Sequence, residues 1–414
     1  MTPVPLVRGV AIRCMSGHAC AGDHLTTPSR AADNRVFTSG VVAMSQQERC
    51  RVLVLGGYGH FGARIVRALA ISPGITVIAA GRNPQHAAAH LPGVNLAMIE
   101  LCRLDIAAAD FAERLAATGA DLVIHTAGPF QGQGYDVAQA CLRAGMHYID
   151  LADGRDFVAD FPQQLDVLAR QAQRSAISGA STLPALSSAV VDALAPQFDQ
   201  LHSIDMVIAP AQATPLGMAT VRAVLSYCGK PFQCWIDGRW QPVTGWAEPQ
   251  PVEFARIGPR LASPCDVPDH TLLVQRYPDV ATVRFRAALE LPFLSRCLAG
   301  MAWLRRHGLP LPMEALAGVF ARAGRWFDRF GTDLGGMRIT LRGQRGGVEH
   351  RLHWDLTAPM LHGPEIPTFA AVLLARRLAR GEALPIGAHA CVGLLTLAEF
   401  ESEFARWQID STVS

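Results

Sequence analysis

The chain has 414 residues, of which half are hydrophobic and 17% charged, with a formal net charge of +2. That length calls for two domains, the composition excludes global disorder, and so small a positive charge excludes a dedicated nucleic-acid binder. Ten cysteines are scattered without a CxxC pair, and no uncharged apolar run reaches the roughly 18 residues that span a bilayer, so cytoplasmic thiols and no stable membrane insertion are expected.

Residues 1–49 have no sustained period, and small polar residues interrupt each apolar run. They read as a disordered extension, or as a segment ahead of a translation start at Met44; the arginines are too sparse for a convincing targeting peptide. Basic residues are nearly all arginine, and Lys230 is the one lysine.

From residue 50 to 185 strands and helices alternate. "RVLVLG" is a fully buried strand and "FGARIVRALA" an amphipathic helix. "GITVIAAG" and "NLAMIELCRLD" follow as strands, then the helix "AAADFAERLAATG" and a fourth strand, "ADLVIHTAG". The helix "GYDVAQACLRAG", the strand "HYIDLA", the helix "DFVADFPQQLDVLARQAQR" and the strand "SAISGAS" complete a βαβ series that implies a mostly parallel sheet.

Gly57, Gly59 and Gly62, with Tyr58, His60 and Phe61 between them, form G-x-G-x-x-G at the first strand-to-helix junction. Glycine there allows the tight turn, the close approach of a diphosphate and the packing of helix on strand, while the helix N-terminus offers unpaired amides. The second strand ends in Gly81 and Arg82 rather than in the acid that accepts a ribose 2′-hydroxyl. Guanidinium suits a 2′-phosphate, which favours NADP(H) over NAD(H). Asp105, after the third strand, and Ala127, Gly128 and Pro129, after the fourth, complete the expected cofactor-binding set. His125 and Asp150 end two strands at the same sheet edge and are candidate acid–base groups; Phe130, Asp153 and Arg155 are candidate substrate contacts. Ser181 or Thr182 is expected to cap the helix that begins near Pro184.

Residues 186–358 read as a second, α+β domain. "LPALSSAVVDALAPQF" and "LGMATVRAVLSYC" are helical, "SIDMVIAP", "TLLVQRY" and "ATVRFRAAL" are strand-like, and the Asp-Gly pair in "FQCWIDGRWQPV" marks a hairpin. "PFLSRCLAGMAWLRRHG" and "PMEALAGVFARAGRWFDRFG" are helices expected to pack on a sheet or across a subunit boundary. In "MRITLRGQRGGVEHRLHWDLTAP" strict alternation predicts two strands about a Gly-Gly turn. Glu349, Arg351, His353 and Asp355 then share one face. Either that face is simply wet, or Arg351 holds an anionic substrate group over the nicotinamide while His353 or Asp355 handles a proton. Residues 359–414 carry the helices "EIPTFAAVLLARRLARG" and "VGLLTLAEFESEFARW", with "HGPE" before the first as a candidate cleft lining.

The segments "VLGGYGHFG", "AAGR", "DLVIHTAGPFQGQG", "ACLRAGMHYIDLAD", "SGASTLPALSS" and "GPEIPTFAAVLLARRLARG" together resemble the saccharopine dehydrogenase/reductase-like superfamily. The resemblance implies an α/β protein: an N-terminal Rossmann domain, an inserted α+β substrate and dimerisation domain, and a C-terminal segment returning to the first. It also implies a cytosolic homodimer that uses nicotinamide to make or break a secondary-amine C–N bond through an imine, on amino acids or polyamines. Lys230, in "SYCGKPFQCW", does not resemble the lysine setting of the lysine-forming branch. The expectation is therefore an NADP(H)-dependent oxidoreductase acting on a small imine or secondary-amine substrate. The alternatives are a carbonyl or enone reductase and a non-catalytic NADP(H)-binding sensor or scaffold. No HExxH, GxSxG or GxxxxGK[ST] motif is present, and no metal site is expected.

Overall fold

The computed structural model describes residues 49–214, 217–313 and 315–414; the expectations for residues 1–48, Met44 included, lie outside them. Strands alternate with helices: β1 (Cys50–Leu55), α1 (Gly62–Ala70), β2 (Ile75–Gly81), α2 (Ala87–His90), β3 (Ile99–Arg103), α3 (Phe111–Ala116), β4 (Leu122–His125), α4 (Asp136–Arg143), β5 (His147–Asp150), α5 (Arg155–Gln171) and β6 (Ser175–Ser178); the apolar runs of the central strands are buried on both faces, whereas the edge strand β3 is largely exposed. These six strands are parallel in the order β6-β5-β4-β1-β2-β3. The winding reverses between β1 and β4, so their carboxyl ends flank the switch point at which such sheets bind ligands. Alternation sends Val52, Val54, Ile124 and Ile149 to one face, and Leu53, Val123 and Tyr148 to the other, where they pack with residues of α3, α4 and α5.

After β6 a π-helical turn, Thr182–Leu186, runs into α6 (Ser187–Leu194). Ser181 makes no side-chain capping bond, and extended φ/ψ at Leu183 kinks the chain ahead of α6. The second layer then follows: β7 (Gln200–Ala209), α7 (Met218–Ser226), β8 (Pro231–Ile236), β9 (Arg239–Thr244), β10 (Gln250–Val252), β11 (Arg260–Pro264), α8 (Asp269–Arg276), β12 (Thr282–Leu289), α9 (Pro292–Arg306), α10 (Ala317–Arg325), β13 (Gly335–Arg345) and β14 (Val348–Ala358). The expected hairpin turns at Asp237 and Gly238, both at positive φ (51° and 71°), the twist that favours a two-residue loop. "TLLVQRY" is not a strand but most of α8. Pro268 and Asp269 start a helix there, and Leu272 and Leu273 are buried, which outweighs the β-prone composition.

The chain ends with α11 (Ile366–Ala379), β15 (Gly387–Ala390), α12 (Leu397–Arg406) and β16 (Asp410–Val413). The return segment is thus more than helices. β15 pairs with β6 as a seventh parallel strand, while β16 pairs with β14 in the mixed sheet, β10-β11-β12-β7-β13-β14-β16. Residues of α1, α6, α11 and α12 share one apolar cluster with Val52 and Val54 on one side and Ile339, Leu341 and Trp354 on the other, so these helices fill the space between the sheets.

That arrangement decides the face of the polar row. Leu352, Trp354 and Leu356 join this central cluster, so Glu349, Arg351, His353 and Asp355 point away from the nucleotide-type sheet. Asp355 is paired with Arg338 at 2.6 Å, and His353 Nδ1 lies 2.9 Å from Thr340 Oγ1 across the strands. His353 and Arg351 therefore occupy the outward face of the mixed sheet rather than an inter-sheet cleft; the expectation for them does not hold, because alternation reveals two faces but not which one meets the other sheet.

Candidate active site

The glycine turn is held from both sides. The amides of Gly56 and Gly57 donate to Ala80 O at 3.0 and 2.9 Å, and Thr126 Oγ1 donates to Leu55 O at 2.9 Å. Gly56 has φ +82°, and a Cβ at Gly62 would stand 2.1 Å from Gly56 O, so neither position admits another residue without moving the turn. A Cβ at Gly59 would meet only Gly56 O, at 3.0 Å; its other side is open. Gly59 N is used within the turn, whereas the amides of His60, Phe61 and Gly62, where α1 begins, have no acceptor among the described residues. These donors, with the bare flank of Gly59, fit a diphosphate. Behind them Arg64 pairs with Glu365 at 3.0 Å, so the "HGPE" segment braces α1 instead of lining a cleft. His60 is half-buried, which lowers its pKa to about 4.

At the end of β2, Tyr58 lies across Gly81. Its hydroxyl donates to Ala79 O at 2.7 Å, and a Cβ on Gly81 would meet its ring at 2.9 Å. The missing acid thus has a packing cause: the ring fills the space an aspartate would need. Arg82 follows, exposed, and Arg103 stands opposite Gly81 on β3, also exposed. Two guanidinium side chains therefore share the edge where a 2′-phosphate would lie; sequence reading found the first and missed the second, which only strand register brings alongside. Asp105, just beyond, accepts from Ala107 N at 3.2 Å and turns the chain after β3.

At the end of β4, Gln133 Nε2 donates to Ala127 O and Pro129 O at 3.0 and 2.6 Å, fixing the Gly128–Pro129 bend, whose peptide is cis. Gln131 Nε2 donates to Asp153 Oδ1 at 3.1 Å, and Gln131 Oε1 is buried without a partner. Pro129 and Gln131 form one wall of a cleft of about 600 Å³, and Met218 and Arg222 of α7 with Ala315 and Gly318 form the other. Arg222 makes no hydrogen bond or ion pair among the described residues and is the one charged side chain lining this cleft. Nothing in "MATVRAVLS" marks it: the helix reads as scaffold until the fold places it across from β4.

The expected acid–base residues sit deeper. His125 is 1% exposed, with Nδ1 3.0 Å from Tyr148 Oη and Phe130 packed edge-on against its ring. Burial lowers its pKa to about 4, leaving it a neutral ring at pH 7 and a poor proton donor. Phe130, 4% exposed between His125 and Phe157, is core and not a substrate contact. Asp150 is fully buried; its Oδ1 accepts from Ala152 N, Ser178 Oγ and Gly179 N at 2.8–2.9 Å, tying β5 to the end of β6. Arg155 donates to Thr271 Oγ1 at 2.8 Å, to Gln233 O at 2.5 Å and to Asp266 at 3.2 Å, so it clasps α5 to the mixed-sheet layer with few donors to spare.

Burial pushes the Asp150 carboxyl up to about 6, against its ordinary 3.8. A raised carboxyl pKa means that folding favours the protonated form. The resulting stability is whole below pH 4 and is lost as pH rises through 6, by about 2 to 3 kcal/mol. Asp150→Asn keeps the accepting oxygen and cannot ionise. Denaturant titrations of this variant should show that loss of stability between pH 4 and pH 7 abolished; an unchanged pH profile would refute the assignment.

Residues 52–193 match the family described as Saccharopine dehydrogenase NADP binding domain. The fold is similar to apo saccharopine dehydrogenase (L-Glu forming) from Saccharomyces cerevisiae, at 14% identity and TM-score 0.63, over 88% of this chain and 99% of that one. It is also similar to homospermidine synthase from Legionella pneumophila in complex with NAD, at 10% identity and TM-score 0.57, over 88% and 91% of the two chains. No curated protein sequence matches the chain.

Proposed function

We infer that this chain, whose residues 52–193 match a saccharopine dehydrogenase-type NADP-binding domain, is an NADP(H)-dependent oxidoreductase that moves hydride to or from a small, amino-acid-like imine or secondary amine. The observation that carries the reading is the Arg222 guanidinium in the cleft beside the β4 bend, without a hydrogen-bond or ion-pair partner among the described residues. The amides of His60, Phe61 and Gly62 would hold the diphosphate, and Arg82 with Arg103 the 2′-phosphate. A dinucleotide held there would supply hydride-transfer chemistry. Arg222 then takes a substrate carboxylate, and the free Gln131 Oε1 accepts a hydrogen bond from the substrate N–H. An imine already protonated on nitrogen becomes the amine by gaining hydride at carbon alone. A dedicated acid is then unnecessary, which suits a site whose nearest histidine is buried and neutral. The expected homodimer belongs to this reading, and sedimentation equilibrium tests it.

The test is NADPH oxidation over a panel of α-keto acids paired with primary amines, set against simple ketones and enones. Turnover is expected on the imine-forming pairs. Arg222→Ala should raise KM for carboxylate-bearing partners about tenfold while leaving kcat within about threefold, since the group holds substrate and is exposed. Turnover confined to ketones or enones would replace this reading with a carbonyl or enone reductase. NADPH binding without any turnover would favour the non-catalytic one.

A further inference from the structure

The helices α9 and α10 carry a surface that the cleft does not use. α9 buries only Ser295, Leu298 and Ala302, and its opposite stripe exposes Phe293, Arg296, Trp303 and Leu304. On α10 and the turn after it, Val319, Arg322, Arg325, Trp326, Arg329 and Phe330 are exposed at the same three-to-four-residue spacing. Phe293 packs against Phe327 with ring centroids 4.9 Å apart, so the start of α9 meets the end of α10. Trp326 is 77% exposed, Phe330 59% and Trp303 57%, high values for side chains of this size.

Charge identifies the occupant. Residues 292–330 hold six arginines against two acids, Glu314 and Asp328. Asp328 is engaged by Gln212 Nε2 at 3.2 Å, and Arg296, Arg322, Arg325 and Arg329 have no carboxylate partner among the described residues. Large aromatics interleaved with unpaired arginines on one helical face suit the boundary between acyl chains and anionic headgroups. A symmetric pairing of two copies through this face would bring two net-positive patches together, which charge opposes. We propose that the exposed faces of α9 and α10 dock the protein on an anionic lipid surface. Gly318 of α10 lines the cleft, so docking brings the cleft wall alongside the lipid.

Co-sedimentation of the full chain with vesicles tests this. Binding is expected to phosphatidylcholine mixed with phosphatidylglycerol, weakened by salt, and to be at least about tenfold poorer on phosphatidylcholine alone. Arg322→Gln with Arg325→Gln should weaken it about fivefold per arginine, and Trp326→Ser with Phe330→Ser should abolish it, with melting temperature and NADPH affinity unchanged in both. Failure of the wild-type chain to bind anionic vesicles overturns the proposal. So does equal binding to both vesicle types. A dimer that ignores vesicles and dissociates in the serine pair would make this face a subunit contact instead.

Discussion

Alanine at position 62 is expected to destroy dinucleotide binding and cost about 2 to 4 kcal/mol of stability, the upper range for overpacking. The new Cβ would lie 2.1 Å from Gly56 O and 2.8 Å from Thr126 Oγ1, and neither can yield cheaply. Gly56 is fixed by its bond to Ala80 O, and Thr126 by its bond to Leu55 O. The turn must shift as a unit, carrying the His60, Phe61 and Gly62 amides with it. Such a displacement should weaken NADPH binding at least about a hundredfold. Gly59→Ala is the control, since its Cβ meets one atom at 3.0 Å and otherwise enters the open flank. That variant should melt close to wild type yet bind NADPH poorly, because the methyl occupies the diphosphate's place. Calorimetric titration of both proteins separates the cases, and wild-type affinity in Gly62→Ala would refute the cradle.

Strand-forming runs such as "RVLVL" and "DLVIH" are legible because burial on both faces leaves no alternation to confuse, and the glycine turn is legible because its spacing has few other uses. What lies at a strand's end is another matter. His125 reads as an edge residue facing ligand, but it follows Val123 by two and so turns under α4 and α5 with Tyr148. "GAHA" has no strand signal of its own; β15 forms because β6 offers an open edge, and the same holds for β16 against β14. Gly81 was legible as a missing acid, but its cause was not: Tyr58 is 23 positions earlier, and only the sheet brings its ring over that glycine. Arg222 and the α9–α10 stripe depend wholly on tertiary placement, the first because α7 faces β4, the second because α9 buries so little of itself.

Cofactor preference yields the second large effect. Arg103 ends β3 opposite Gly81, across a backbone spacing of about 5 Å, and Arg82 follows Gly81; both arginines are exposed. Long, exposed arginine side chains rooted at neighbouring strand ends can reach one phosphate dianion, each through charge-assisted bonds worth about tenfold in affinity. Removing both, as Arg82→Ala with Arg103→Ala, should raise the NADPH dissociation constant about a hundredfold and leave that for NADH within about threefold, because the adenine ribose of NADH has no charge there to lose. Equal weakening of both would assign the arginines to the diphosphate or to the fold. The converse substitution is constrained by packing. Gly81→Asp alone should not create an NADH enzyme, since its Cβ meets the Tyr58 ring at 2.9 Å. Only when Tyr58 is also made small can a carboxylate at that strand end reach a ribose 2′-hydroxyl, so the double variant is expected to gain NADH affinity where the single variant loses stability. NADH binding by the single variant, with melting unchanged, would show that the tyrosine does not guard the position.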